Sequence, residues 1–389
     1  MLSAKRKICF PILSRAYYAR MKLLLTRLHA DPAFEPQVIL GGSIMLGRYG
    51  EKALADVEAS NFNIKERLLN VIEGGNHAAM AKTAGLIALE TSNIFEKLNP
   101  DIVLICGDRF EQLALAMSAA YLNKTIAHIE GGDVTGSIDE SVRHAITKLS
   151  HIHFVTNNAA KKRVIQMGEN PKMVFNVGSP DLEFVKHSNK KINNEEINAR
   201  GVGENIDINK PFALVVLHPV TSDLDHIRGV EAIYNALSKI KLPAIWFWPN
   251  ADAGTADMSR RLREIHDQKS SSGVKIRFMI DLLPDDFVAL VRKAAVVVGN
   301  SSAGIKEAPF LGVPTVNIGR RQSGRLKGPS VMDVDAAYDA PKVAQAIGYQ
   351  LKHGKYSGFC GYYKPDTSRN IVKILSKIPL YTQKIFHES

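Results

Sequence analysis

Residues 101–155 read DIVLICGDRFEQLALAMSAAYLNKTIAHIEGGDVTGSIDESVRHAITKLSHIHFV. Three short runs rich in branched apolar residues, DIVLIC, TIAHI and HIHFV, alternate with longer segments whose apolar residues fall three and four apart without an internal proline. A strand covered on both faces is apolar at every position, whereas a helix that covers it is apolar along one stripe. This alternation therefore predicts βα units on a parallel sheet. The runs end in Gly107-Asp108, Glu130-Gly131-Gly132-Asp133 and Thr156-Asn157, residues that leave a strand for a loop.

The same pattern extends outward. KICFPIL and PQVILGG precede the stretch, MVFNVGSP follows it, and HAAMAKTAGLIALETSNIFEKLN reads as an amphipathic helix. Past Pro180 the chain turns polar, and residues 186–210, KHSNKKINNEEINARGVGENIDINK, have almost no apolar periodicity. A second series then begins with FALVVLHP, AIWFWPN, VKIRFMI, AVVVGNS and PTVNIG. The reading is an α/β protein of two Rossmann-like domains, 1–187 and 211–365, whose parallel sheets face across a cleft, with 188–210 as a polar connection. In such sheets ligands bind beyond the carboxyl ends of the strands, so the loops there are the place to look for chemistry.

Composition narrows the function classes. A chain of 389 residues with 45% hydrophobic and 23% charged residues suits two globular domains. Its formal charge of +11 admits an anionic partner. The basic residues are spread along the chain without interleaved aromatics, which argues against nucleic acid; only GRRQSGRLKG, residues 319–328, concentrates positive charge without an acid. No run approaches the roughly 18–20 apolar residues of a membrane span, and the N-terminal KRKICFPIL, soon interrupted by Arg15, reads as a first strand rather than a signal peptide. Cys9, Cys106 and Cys360 are odd in number and far apart, so neither a disulfide framework nor a metal site is expected, and a reducing, cytoplasmic setting is.

Candidate site residues cluster at the strand ends. Asp108 follows DIVLIC; an N-cap role would explain it alone, but Glu130 ends the next strand and would point into the same crevice. Ser137 and Glu140 have capping-box spacing, while Glu140 and His144 are four apart with Arg143 between them, so this turn could also present an acid, an imidazole and a guanidinium together. Carboxyls sharing a site push each other's pKa values apart, as acid/base catalysis requires. In the second half, Gly299-Asn300-Ser301-Ser302-Ala303-Gly304 joins a strand to a helix start and reads as a phosphate cradle, with Glu307 placed to bind ribose hydroxyls. His218 and Asn250 end FALVVL and AIWFWP, and Arg15 follows the first strand.

Taken together these residues resemble the UDP-N-acetylglucosamine 2-epimerases, specifically the hydrolysing branch. GDRFEQLALAMSAAYLNKTIAHIEGGDVTGSIDESVRHAITKLSHIHFV carries most of the likeness, and LHPVT, FWPNADAG and GNSSAGIKEAPFLGVPTVNIGRRQSGR continue it. The resemblance implies a GT-B fold, a C-terminal segment (366–389) crossing back to the first domain, a homo-oligomer (dimer or tetramer), and no cofactor or metal. It implies a UDP-amino sugar substrate, with Asp108, Glu130, Glu140 and His218 as catalytic candidates. Arg15, Arg109, Arg143, His144, Asn250, Ser301, Ser302, Glu307 and Arg321 would bind the substrate. The chain departs from the family pattern at Leu13-Ser14-Arg15-Ala16-Tyr17, where a Gly and an acid are missing, and at Leu326, where an acid is usual. A GT-B glycosyltransferase, a non-hydrolysing epimerase and a nucleotide-sugar sensor are the competing readings.

Overall fold

Seven parallel strands form the first sheet, β1 (Arg6–Ile12), β2 (Phe34–Leu40), β3 (Ile64–Arg67), β4 (Ile102–Cys106), β5 (Thr125–Ile129), β6 (Ile152–Val155) and β7 (Val174–Asn176), in spatial order β3-β2-β1-β4-β5-β6-β7. Every residue of β4, β5 and β6 is buried, as strands covered on both faces must be. The second sheet contains β8 (Val202–Gly203), β9 (Ala213–Val216), β10 (Ala244–Phe247), β11 (Ile276–Met279), β12 (Val296–Gly299), β13 (Thr315–Ile318) and β14 (Val331–Val334), in order β14-β13-β12-β9-β10-β11-β8. All its pairings are parallel except β8 against β11. These are coordinates of a computed structural model, which describes residues 5–221, 225–267, 273–334 and 339–388.

Both Rossmann-like sheets are flanked by helices, and their carboxyl ends face one another across the cleft. Three strands escape the sequence reading, each for a physical reason. β3 (IKER) and β14 (VMDV) are edge strands only partly buried, so neither has a continuous apolar run, and β8 is two exposed residues. β8 lies within the polar connection, which is more ordered than its composition suggests. Helix Asn194–Asn198 opens with a capping box between Asn193 and Glu196. The guanidinium of Arg277 on β11 donates to the carbonyls of Ile197 (3.2 Å), Arg200 (2.7 Å) and Gly203 (3.2 Å). Polar bonds to one buried arginine and four isolated isoleucines (192, 197, 206 and 208) buried in the second domain's core order this stretch, and neither leaves a hydrophobic periodicity.

The chain ends on the first domain. Helix Thr367–Lys377 buries Ile371 and Leu375 in the core shared with helix Arg15–Ala30, and Arg6 donates to the carbonyls of Leu375 (2.6 Å) and Ile378 (2.8 Å). The two domains also touch directly at the cleft. The Gly136 amide donates to the Arg321 carbonyl at 3.1 Å, and a Cβ at Gly136 would lie 2.0 Å from the Arg320 carbonyl oxygen, so only glycine lets the two loops approach.

Candidate active site

A cavity of about 220 Å³ lies between the two sets of strand ends. Its chemistry is divided. Phe247, Leu282, Phe287 and Val288 form an apolar wall, with the Phe247 and Phe287 rings edge to face at 5.6 Å. Across the rest, five arginines (15, 20, 109, 321 and 325) line the space together with Asp108, Asp139, Asp181, Asp281 and Glu307.

Asp108 sits where β4 ends, beyond Gly107. Helix Phe110–Tyr121 starts two residues later, with Arg109 rather than Asp108 at its cap position and no side-chain cap bond. The N-cap explanation of Asp108 therefore falls. Its carboxylate instead meets Arg143, a guanidinium 1% exposed, and lies 3.9 Å from Arg325. Burial alone would raise its pKa, but Arg143 and Arg325 outweigh that and hold it well below the usual carboxylate range. Arg143 is thus a buried partner of the acid, also donating to the Asp133 carbonyl at 2.8 Å, and does not line the cavity.

The next turn corrects the expected acid. Helix Asp139–Leu149 begins after Ile138 without a capping box: Ser137 Oγ donates to Asp139 at 3.0 Å, and Glu140 accepts from the Thr135 amide. Asp139 lines the cavity, whereas Glu140 and His144, 3.9 Å apart, lie outside it. Burial and the neighbouring Asp108 charge raise the Asp139 pKa, opposed by Arg321 at 3.4 Å. Two carboxyls thus occupy one site with proton affinities displaced in opposite directions.

Glu130 is also displaced from its expected place. It holds a left-handed backbone (φ 72°) at the end of β5, and its side chain lies behind the cavity wall. There it accepts from Arg20 at 2.9 Å, Lys306 at 2.5 Å and Ser179 at 3.3 Å. Burial pushes its pKa up, but Lys306 and Arg20 together bring it down to about 2. Arg20 passes this anchoring into the cavity, where its other amino group donates to Ser302 Oγ at 3.0 Å.

Ser301 and Ser302 line the second-domain side, but not at a full helix N-terminus. A three-residue turn, Ser302–Gly304, leads to a helix of only four residues, Glu307–Phe310. Positive charge at this wall comes mainly from Arg20 and Arg321. Gly299 closes the preceding strand at φ 137°, with a Cβ there 2.1 Å from the Val216 carbonyl oxygen. Glu307 faces the cavity with one oxygen buried and without a protein partner, and burial followed by the Asp181 charge raises its pKa to about 7.

His218, Asn250, Arg15 and Arg109 line the cavity as expected. The His218 imidazole is pushed down to about 3 by burial and then by Arg321, so it is neutral at ordinary pH. Arg109 pairs with Asp252 at 2.7 Å and Arg15 with Asp281 at 3.6 Å, both across the cleft. Sequence reasoning missed Arg20, Asp139, Asp181, Gln322 and Arg325 on the cavity, and Lys306 behind it. Arg325 lay within the basic loop and Asp139 within the SIDES run, so both had a local signal.

Among the described residues, no group of His, Cys, Asp and Glu is arranged to hold a metal ion, and no helix is long and apolar enough to cross a membrane. Residues 26–376 match the family model described as UDP-N-acetylglucosamine 2-epimerase. A Legionella pneumophila protein named UDP-N,N'-diacetylbacillosamine 2-epimerase (hydrolyzing) is 33% identical over 97% of each chain. A Neisseria meningitidis UDP-N-acetylglucosamine 2-epimerase is 34% identical over 93% of this chain and 92% of its own. Among solved structures, the Methanocaldococcus jannaschii UDP-GlcNAc 2-epimerase in complex with UDP-GlcNAc and UDP matches with a TM-score of 0.80 at 18% identity, covering 95% of this chain and 99% of that one. That likeness gives the GT-B arrangement of the two domains, and the sequence matches carry the classification: this chain belongs to the UDP-N-acetylglucosamine 2-epimerase family.

Proposed function

We propose that this protein is a hydrolysing 2-epimerase of a UDP-N-acetylamino sugar, releasing UDP and a free sugar inverted at C2. The observation that carries the reading is one cavity holding Asp108 and Asp139, with oppositely displaced proton affinities, beside five arginines and an apolar wall. Proton transfer at C2 needs acids and bases of unequal strength, and departure of a diphosphate needs fixed cations. A nucleobase suits the wall at Phe247 and Phe287. The unpartnered oxygen of Glu307 suits a ribose hydroxyl.

In this reaction a base takes the C2 proton while UDP leaves C1, giving a 2-acetamidoglucal. Water then adds at C1 and a proton returns to C2 from the other face. Asp139, whose raised pKa suits proton exchange, takes the place expected of Glu140. Asp108 stays ionised against Arg143, and Glu130 acts by holding Arg20 toward the departing diphosphate. Neutral His218 can donate a hydrogen bond without adding charge. The name of the Legionella relative, a hydrolyzing 2-epimerase, supports release of UDP as product. The reading includes a cytoplasmic homo-oligomer, on the family resemblance.

NMR in D₂O with UDP-N-acetylglucosamine, and in parallel with the 2,4-diacetamido-2,4,6-trideoxy analogue, tests this. Free UDP and a manno-configured sugar carrying deuterium at C2 are expected from one of them. Transfer of the sugar to an acceptor, or UDP retained on the epimerised sugar, would overturn it.

A further inference from the structure

Lys306 is a cavity-adjacent group whose charge the reaction does not use. It lies in the second domain, between the Ser302–Gly304 turn and helix Glu307–Phe310, and is 2% exposed. Its ammonium reaches into the first domain, 2.5 Å from Glu130 and 3.4 Å from Asp181, and sits 5.6 Å from the centre of the Tyr362 ring. Asp181 belongs to helix Pro180–His187, and Arg20, also of the first domain, bridges the same two carboxylates at 2.9 and 3.5 Å. Two cations and two anions thus meet at the cavity wall, three of them buried and Arg20 reaching through to line the cavity, and one of the four is contributed by the opposite domain.

We infer that Lys306 is a positioning residue that makes the aim of Arg20 depend on the closed arrangement of the two domains. This rests on the proposed function only for the purpose of that aim. With Lys306 in place, Arg20 shares Glu130 and Asp181 with a second cation and keeps an amino group for Ser302, on the cavity wall. Without it, Arg20 is left as the direct ion-pair partner of both buried carboxylates, with Arg325 acting on Glu130 at longer range and Glu307 facing the same cluster; the two carboxylates draw Arg20 back from Ser302, and Glu130 loses its largest source of positive potential. A buried carboxylate deprived of its cation takes up a proton more readily. An ammonium drawn from the first domain by opening of the cleft would have the same effect as its removal. Nucleotide binding and domain closure are in this way coupled through one side chain.

The coupling is read from UDP affinity, measured by calorimetry between pH 5 and 8, which does not require turnover. Lys306→Gln is expected to weaken UDP binding by about tenfold at pH 7.5. The loss should deepen toward pH 5, because Glu130 then titrates within reach; in the wild type it stays ionised throughout. Lys306→Arg should restore both the affinity and the pH dependence of the wild type. Asp181→Asn removes a negative neighbour of Glu130 and should show no added loss toward pH 5 relative to the wild type, opposite to Lys306→Gln, so a general loss of folding cannot mimic the pattern. Lys306→Gln binding UDP within twofold of wild type at both ends of the range would overturn the inference, as would an equal acid-side loss in Asp181→Asn. Failure of the epimerase reading would show separately, as absence of UDP release from the wild type.

Discussion

The two halves of this molecule are built alike, each brings charges of both signs to the cleft, and they differ in the small polar residues that only the second places at its strand ends. Each is a sheet of parallel strands whose carboxyl ends open on the cleft; the first domain lines the cavity with Asp108, Asp139, Asp181 and three arginines (15, 20 and 109), the second with Ser301, Ser302, Asp281, Glu307 and two arginines (321 and 325). Each half also supplies counterions to the other. Arg15 and Arg109 of the first reach Asp281 and Asp252 of the second; Arg321, Arg325 and Lys306 reach Asp139, Asp108 and Glu130 in return. The proton affinities of the first half's carboxyls therefore depend in part on cations of the second: Arg325 lowers that of Asp108, Lys306 that of Glu130, and Arg321 opposes the rise of Asp139. A Rossmann unit supplies positions, and the facing loops decide what those positions do.

The largest effect should separate adjacent acids in the first half. Asp139→Asn is expected to lower kcat by about 10²–10⁴-fold, the usual worth of a general acid or base, while Glu140→Gln stays within about threefold. Steady-state UDP release measures both. A collapse in Glu140→Gln with Asp139→Asn active would invert the assignment.

Stability should follow, through the crossing helix that fastens the end of the chain to the first domain. Ile371 is fully buried there, and Ile371→Ala should cost about 2–5 kcal/mol in chemical denaturation. An equal loss from replacing exposed Arg369 on the same helix would refute that account.

A smaller effect is expected in the second half. Arg321→Met removes a cavity cation paired only loosely with Asp139, so KM should rise about tenfold to a hundredfold with a lesser change in kcat. It should also shift the acid/base profile, since Arg321 opposes the rise in Asp139; a profile unchanged by Arg321→Met would show that the halves are electrostatically independent.

The smallest effect concerns His218. Its folded-state pKa of about 3 lies below the ordinary 6.5, so the unfolded chain binds the proton first. Its contribution is present above about pH 6.5 and is lost as pH falls toward 3. His218→Gln should flatten this acid-side decline in thermal stability, while the wild-type rate shows no limb from His218 between pH 5 and 8.

By itself the sequence determined the two series of βα units, their order, and the loops in which the site had to lie. The reason is local: a strand covered on both faces must be apolar at every position, and the residue that leaves it is a loop former. It also contained the family-bearing motifs and several of the cavity-lining residues, among them Asp108, His218, Asn250 and Glu307. Tertiary structure alone decided which neighbours face the cleft. Asp139 and Glu140 are separated by a rotation of about 100° on one helix, and the direction of each depends on how the uncapped turn at Ile138 meets the basic loop of the other domain. Lys306 has the local setting of an ordinary surface lysine before a short helix. It is buried because Glu130 and Asp181, more than a hundred residues away along the chain, supply the opposite charge that makes an ammonium tolerable there.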